Sequence, residues 1–148
     1  LAFCLLSTFR HLLTAEKAAK HLELIAESLK PGGLYILGLD LTDYRDAHDD
    51  EEAWTARRGR RRAEHVVLSL APQARRRRER IINFLTLTCG GKKEFLESAY
   101  DLRSYDARQL RALVRASPLS LEAVYGPDGK PSRLDPGTRD AFFVLKKS

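Results

Sequence analysis

The stretch SLKPGGLYILGLDL, residues 28–41, decides the fold. Ahead of it, Ala15, Ala18, Leu22, Ile25, Ala26 and Leu29 recur at helical spacing, with Lys17, Lys20 and Glu23 elsewhere on the wheel. An amphipathic helix is therefore predicted over 15–29. Thr14 is placed to cap it, and Glu16 sits in the first turn, where the helix dipole favours an acid. Pro31 stops the helix, and Gly32-Gly33 permit a tight turn. Leu34–Leu41 is apolar at nearly every position, the pattern of a strand buried on both faces of a parallel sheet. Residues 1–6, LAFCLL, read as another buried strand, followed by a loop or helical turn, STFRHLLT. Strand, helix and strand make a right-handed βαβ unit, its two strands parallel neighbours enclosed by helices above and below.

Beyond Leu41 the texture changes. DYRDAHDDEE is acidic and reads as loop or short helix. HVVLSL and RIINFLTLTC read as strands, with a turn at Pro72 and a hairpin at Gly90-Gly91. In EFLESAYDLRSY, Leu96, Tyr100 and Leu102 alternate with Glu97, Asp101 and Arg103, the period of a half-buried antiparallel strand. Residues 54–105 are thus expected to form an antiparallel excursion of three or four strands. Asp106 and Gln109 make a capping box for a helix carrying Leu110, Leu113 and Val114. LSLEAVYG and DAFFVLKK are the closing strands.

At 148 residues, with 43% hydrophobic and 31% charged residues, the chain suits one soluble domain. No window is long and apolar enough for a transmembrane helix, and LAFCLL lacks the basic leader of a signal peptide. Cys4 and Cys89 give no disulfide framework or metal spacing and read as reduced core residues of a cytoplasmic protein. The chain has no methionine and opens on Leu1 inside an apolar run. The expectation is a piece of a longer protein, cut within a strand. Net charge is +6, and it belongs to one segment: Trp54–Arg80 holds ten arginines against two glutamates. RRGRRR and RRRRER suit phosphate, yet aromatic interleaving and a recognised nucleic-acid module are absent. Pairing with DDEE explains the same charges.

HLELIAESLKPGGLYILGLDL resembles the fourth helix and fifth strand of class I S-adenosylmethionine-dependent methyltransferases, where a helix ends in Leu-x-Pro-Gly-Gly and runs into an apolar strand. LAFCLLSTFRHLLT resembles the fourth strand and its loop, and residues 104–147 resemble the last helix and closing hairpin. The family's usual Gly-Phe before the sixth strand is replaced by SPLSL. The resemblance implies an α/β fold: a partial Rossmann-like sheet holding strands four to seven in the spatial order four, five, seven, six. It has an arginine-rich antiparallel insert over 42–105, which serves as a lid or a dimer surface. It implies S-adenosylmethionine as cofactor, with the Gly-rich turn and the ribose-binding acid in a missing N-terminal half.

Ligands of such sheets lie beyond the carboxyl ends of the strands. The resemblance sets Leu5, Leu6 and Ser7 against the cofactor. His11 is placed to act as base on the acceptor; a structural histidine is the alternative. Phe9, Asp40 and Tyr44 follow the two strand ends, and Asp40 is costly there unless paired or facing the cleft. Tyr44 and Trp54 line an acceptor pocket or seal the insert to its core. Arg103 and Tyr105 reach back over the cleft, unless Arg103 pairs with Asp101 or Glu97. His21 and His65 read as surface residues. The function expected is methyl transfer to a small molecule by the complete chain, the fragment alone being inactive. The alternative is a noncatalytic arginine-rich module for nucleic acid or an acidic partner, and a third reading is a methyltransferase-like subunit without activity.

Overall fold

The computed structural model describes residues 1–148. β1 (Ala2–Cys4) runs parallel to β2 (Leu34–Asp40), with Ala2 opposite Tyr35 and Cys4 opposite Leu37. Between them lie a 3₁₀ turn, Thr8–His11, and α1 (Ala15–Ser28). Thr14 caps α1 as expected, its hydroxyl accepting the Lys17 N–H at 3.2 Å. At the corner Gly32 has φ 72°. Gly33 serves differently: a Cβ there would stand 2.7 Å from the Lys30 carbonyl oxygen.

The chain then leaves for a second sheet of β3 (Asp50–Arg58), β4 (Arg61–Gln73), β5 (Arg78–Cys89) and β6 (Lys92–Arg103), four antiparallel strands in that spatial order. Pro72 lies within β4 at a register shift between Leu70 and Gln73, and the turn falls after it. α2 (Ala107–Arg115) returns to the first sheet, opened by the full Asp106–Gln109 capping box. β7 (Leu119–Tyr125), the short β8 (Pro131–Ser132) and β9 (Asp140–Lys147) follow. β9 inserts antiparallel between β2 and β7, giving the order β1-β2-β9-β7-β8.

Core packing is one-sided. Ala18, Leu22 and Ala26 of α1 and Leu110 and Val114 of α2 join Tyr35, Leu37, Leu39, Phe143 and Leu145 in one buried cluster. The opposite face, with Phe3 (68% exposed), Leu5, Ile36, Phe142, Val144 and Tyr125, is an open apolar groove of about 420 Å³. This corrects the expectation of helices on both sides: apolar residues on both faces of β2 are present, but both helices cover the same one.

Three further expectations change. Cys4 is half-buried and Cys89 exposed at a strand end, so neither is a core residue. His21 is half-buried against Tyr35, not on the surface. DDEE lies at the opposite end of β3 from the arginines, with Glu51 and Glu52 opposite Leu68 and Val67. No helix is long and apolar enough to cross a membrane.

Candidate active site

The carboxyl ends of β1 and β2 meet at a strained turn. Leu6 and Ser7 both adopt φ 55°, a left-handed conformation costing roughly 1–2 kcal/mol per non-glycine residue. Local bonds hold it. The Ser7 N–H donates to the Gly38 carbonyl at 3.1 Å. The Ser7 hydroxyl donates to Asp40 Oδ2 at 2.8 Å and accepts the Asp40 N–H at 2.8 Å. Gly38 makes the approach feasible, because a Cβ there would lie 3.3 Å from Leu5 Cα. Leu6 is left 94% exposed. Asp40 is exposed and opposes Asp140 across the ladder. Burial and the Asp40 charge push the Asp140 carboxyl above its ordinary value.

From this end a cleft of about 330 Å³ opens between the first sheet and the insert. Its lining includes the carboxylates of Asp40, Asp43, Asp46, Asp50 and Glu79, against Arg10 and Arg139. Asp43 is bound by Arg45 and by Arg139 at 3.1 Å, which holds its carboxyl well below the usual range. Glu79 pairs with the buried Arg10. Asp40, Asp46 and Asp50 have no ion-pair partner, so the cleft is net acidic.

Beneath it, the insert is locked to the core by arginines. Arg10 Nε donates to the Arg103 carbonyl at 3.1 Å, and Arg103 Nη1 donates to the Leu13 carbonyl at 3.0 Å, where Arg78 also donates. The guanidinium carbons of Arg77 and Arg103 lie 4.8 and 5.7 Å from the Tyr105 ring centroid, within cation–π range.

The sequence-predicted residues fall into separate groups. Ser7 and Asp40 are bonded at the strand tip, beside Leu5 and Leu6. Phe9 and Tyr105 are each 1% exposed, with ring centroids 5.8 Å apart; they and the buried Arg103 support the cleft from below and offer an acceptor no surface. Arg103 does not pair with Asp101, which Arg80 takes at 3.4 Å. Tyr44 donates to Gln109 Oε1 at 3.1 Å and shares a 2.8 Å bond with Ser104, fixing the loop to α2. His11 is exposed, its ring centroid 5.4 Å from that of Tyr100 of the insert. Trp54 is on the outer strand of the insert, edge-on to His65 and 51% exposed, and seals nothing to the core. Arg10 and Asp43 follow the two strand ends in the sequence but carried no assigned role, and Glu79 and Asp140 were missed. Arg10 and Glu79, and Asp43 and Arg139, are partners far apart in the chain, and no spacing signals those pairs.

No protein-family model and no curated protein matches the chain. Solved structures do. CalS10 of Micromonospora echinaspora, an amino pentose methyltransferase with S-adenosylmethionine bound, is 17% identical with a TM-score of 0.78, over 99% of this chain and 58% of its own. The sugar N-methyltransferase KedS8 from Streptoalloteichus sp ATCC 53650 is 16% identical, TM-score 0.78, over 99% and 55%. An S-adenosylmethionine-dependent methyltransferase of Clostridium acetobutylicum ATCC 824 is 10% identical, TM-score 0.76, over 99% and 57%. The chain spans a little over half the length of these proteins. With β9 antiparallel between β2 and β7 and an insert after β2, it has the fold of the class I S-adenosylmethionine-dependent methyltransferases over that part of their length.

Proposed function

We propose that the complete protein transfers a methyl group from S-adenosylmethionine to the amine of a small polar acceptor such as an amino sugar. The observation that carries this reading is the net acidic cleft at the carboxyl end of β2, set on a sheet of methyltransferase topology. A protonated amine is drawn to such a cleft. The methyltransferases of like fold named above for amino pentose and sugar N-methylation point the same way.

Bound S-adenosylmethionine supplies a methyl already activated by its sulfonium. The chain's own work is to align the acceptor, exclude water and remove a proton. The residues present suit one wall of a cofactor site: Leu5 and Leu6 give apolar surface for the adenosyl part, and Ser7 is fixed at the strand end by Asp40. A further segment supplies the Gly-rich turn and the ribose-binding acid, and covers the apolar face of Phe3, Ile36, Phe142 and Val144. Asp40 holds the acceptor ammonium, while Phe9, Tyr105 and Arg103 keep the 3₁₀ turn in place. His11, on that turn, takes the proton that the amine must lose before its lone pair can attack.

The test uses the complete protein with S-adenosylmethionine and a panel of amino sugars and their hydroxyl analogues, reading S-adenosylhomocysteine formation. Turnover is expected with amines. His11→Ala should lower kcat by about 100-fold, and Asp40→Asn should raise KM for the amine. Turnover confined to hydroxyl acceptors, or a His11→Ala enzyme at full rate, would overturn the reading.

A further inference from the structure

α2 is short, and its shortness leaves a gap in the helical layer. Pro118 follows soon after Arg115 and cannot continue a helix. Ser117 closes the turn, its hydroxyl donating to the Val114 carbonyl at 2.8 Å and accepting the Leu119 N–H at 3.2 Å. The nine residues of α2 span about 14 Å, whereas the eight of β9 run about 26 Å. The sheet is therefore only partly covered near its β7 edge, the side away from β1. A cavity of about 420 Å³ lies there, walled by Leu110, Val114, Leu119, Leu134 and Phe143, all members of the core cluster. A packed interior leaves few voids larger than a water molecule, and sites for small molecules begin at about 300 Å³.

Two cations stand on its rim. Arg111 and Arg115 are exposed and lie one turn apart on α2, beside Leu110 and Val114. Neither forms an ion pair, and no carboxylate lines the cavity. Like charges at this spacing repel, and an anion between them would reverse that. Arg111 is held in place, because its Nη2 donates to the Leu134 carbonyl. That bond uses one of its five donors, and a guanidinium so fixed has less freedom to lose on gripping a ligand. The cavity shares no residue with the acidic cleft. Its rim has the opposite charge, so an amine drawn to the cleft is repelled here.

We infer that this cavity is a second small-molecule site, separate from the methyl-transfer cleft, and that it takes a carboxylate on a compact apolar body, such as a medium-chain carboxylic acid. The apolar body buries against Leu119, Leu121 and Phe143, and the carboxylate spans Arg111 and Arg115. The planar fork of a guanidinium matches a carboxylate in two parallel hydrogen bonds. A phosphate dianion suits the place less well, since its second charge would be desolvated beside apolar walls. A neutral apolar molecule fills the cavity but leaves both arginines without a partner, and an ammonium meets them with like charge.

The test is titration calorimetry on the complete protein, with S-adenosylhomocysteine in excess to keep the probes out of the cofactor site. Octanoate is the probe, and octan-1-ol and octylamine are its comparisons. Octanoate is expected to bind one-to-one, and the other two about tenfold more weakly or not at all. Arg111→Gln/Arg115→Gln, at exposed positions outside the core, should bring octanoate down to the level of octanol. Leu121→Trp should fill the cavity and weaken octanoate and octanol alike; circular dichroism melts show whether each variant is folded. No saturable octanoate binding, or equal affinity for octanoate and octanol, would overturn the proposal. So would full octanoate affinity in either variant. A cavity already filled by another segment of the complete protein would bind no octanoate, and would overturn it in the same way.

Discussion

His21 Nε2 lies 2.8 Å from the hydroxyl of Tyr35, a residue with no exposed surface. Burial lowers the His21 pKa and raises that of Tyr35, so a neutral ring and a neutral phenol share this hydrogen bond. Below about pH 6.5 the unfolded chain binds a proton that the folded chain refuses. This contribution to stability is complete above that pH and falls as the pH drops toward the depressed folded value. The melting temperature should decline from about pH 7 to pH 5, and His21→Gln should flatten that slope; circular dichroism melts across the range would measure it. Parallel slopes for both proteins would remove His21 as the cause.

The Arg10–Glu79 pair ties the 3₁₀ turn to β5 of the insert, with side chains 6% and 15% exposed. Removing one partner of a buried pair leaves a charge uncompensated, at a cost of about 3 kcal/mol. Here the orphan would be Arg10, beside the already crowded Arg78 and Arg103. Glu79→Ala should therefore destabilise the fold by about that amount in urea titration, and hydrogen exchange should show the base of β5 and β6 opening first. Unchanged protection there would exclude the latch.

Gly38 permits the close pass of the chain after β1. In Gly38→Ala the new methyl meets Leu5 Cα and a Phe142 ring carbon, both at 3.3 Å. Overpacking of this kind costs about 1 kcal/mol or more. Because Leu5 backbone must shift, the complete protein should also bind S-adenosylhomocysteine more weakly by calorimetry. A variant with lowered stability and full affinity would detach this turn from the cofactor.

Asp140 faces Asp40, and its carboxyl is raised by burial and by that charge. A raised carboxyl pKa means the folded chain holds its proton more tightly than the unfolded chain, so the ionised carboxylate weakens the fold and acidification relieves it. Asp140→Asn should thus raise the melting temperature at pH 7, with the gain shrinking as the pH falls through the raised value. Equal gains at acid and neutral pH would point to a cause other than charge.

Local signals were legible, distant ones were not. Thr14, Pro31 and the Asp106–Gln109 box act within a turn of the chain, and each does what its residue type implies. The parallel pairing of β1 with β2 followed from two apolar runs joined by one helix. Apolarity on both faces of β2 told only that both need covering, not by which segment. Arg10 and Glu79 are 69 residues apart and meet only because the insert folds back, so neither stood out. Trp54 misled for a related reason: an aromatic beside a charge run gives no sign of which strand becomes the edge.

Both ends of the insert are fastened at the same place, Thr42 N–H to the Tyr105 carbonyl at 2.8 Å and Ser104 N–H to the Arg77 carbonyl at 3.1 Å. Its far hairpins, at Gly59 and at Gly90-Gly91, have open space around them. The arm is therefore a cantilever with its clamp at one end, so hairpin residues can be added or removed at the tip without disturbing the clamp. Those two turns are ports for grafting an epitope or a fluorophore while the clamp stays as it is.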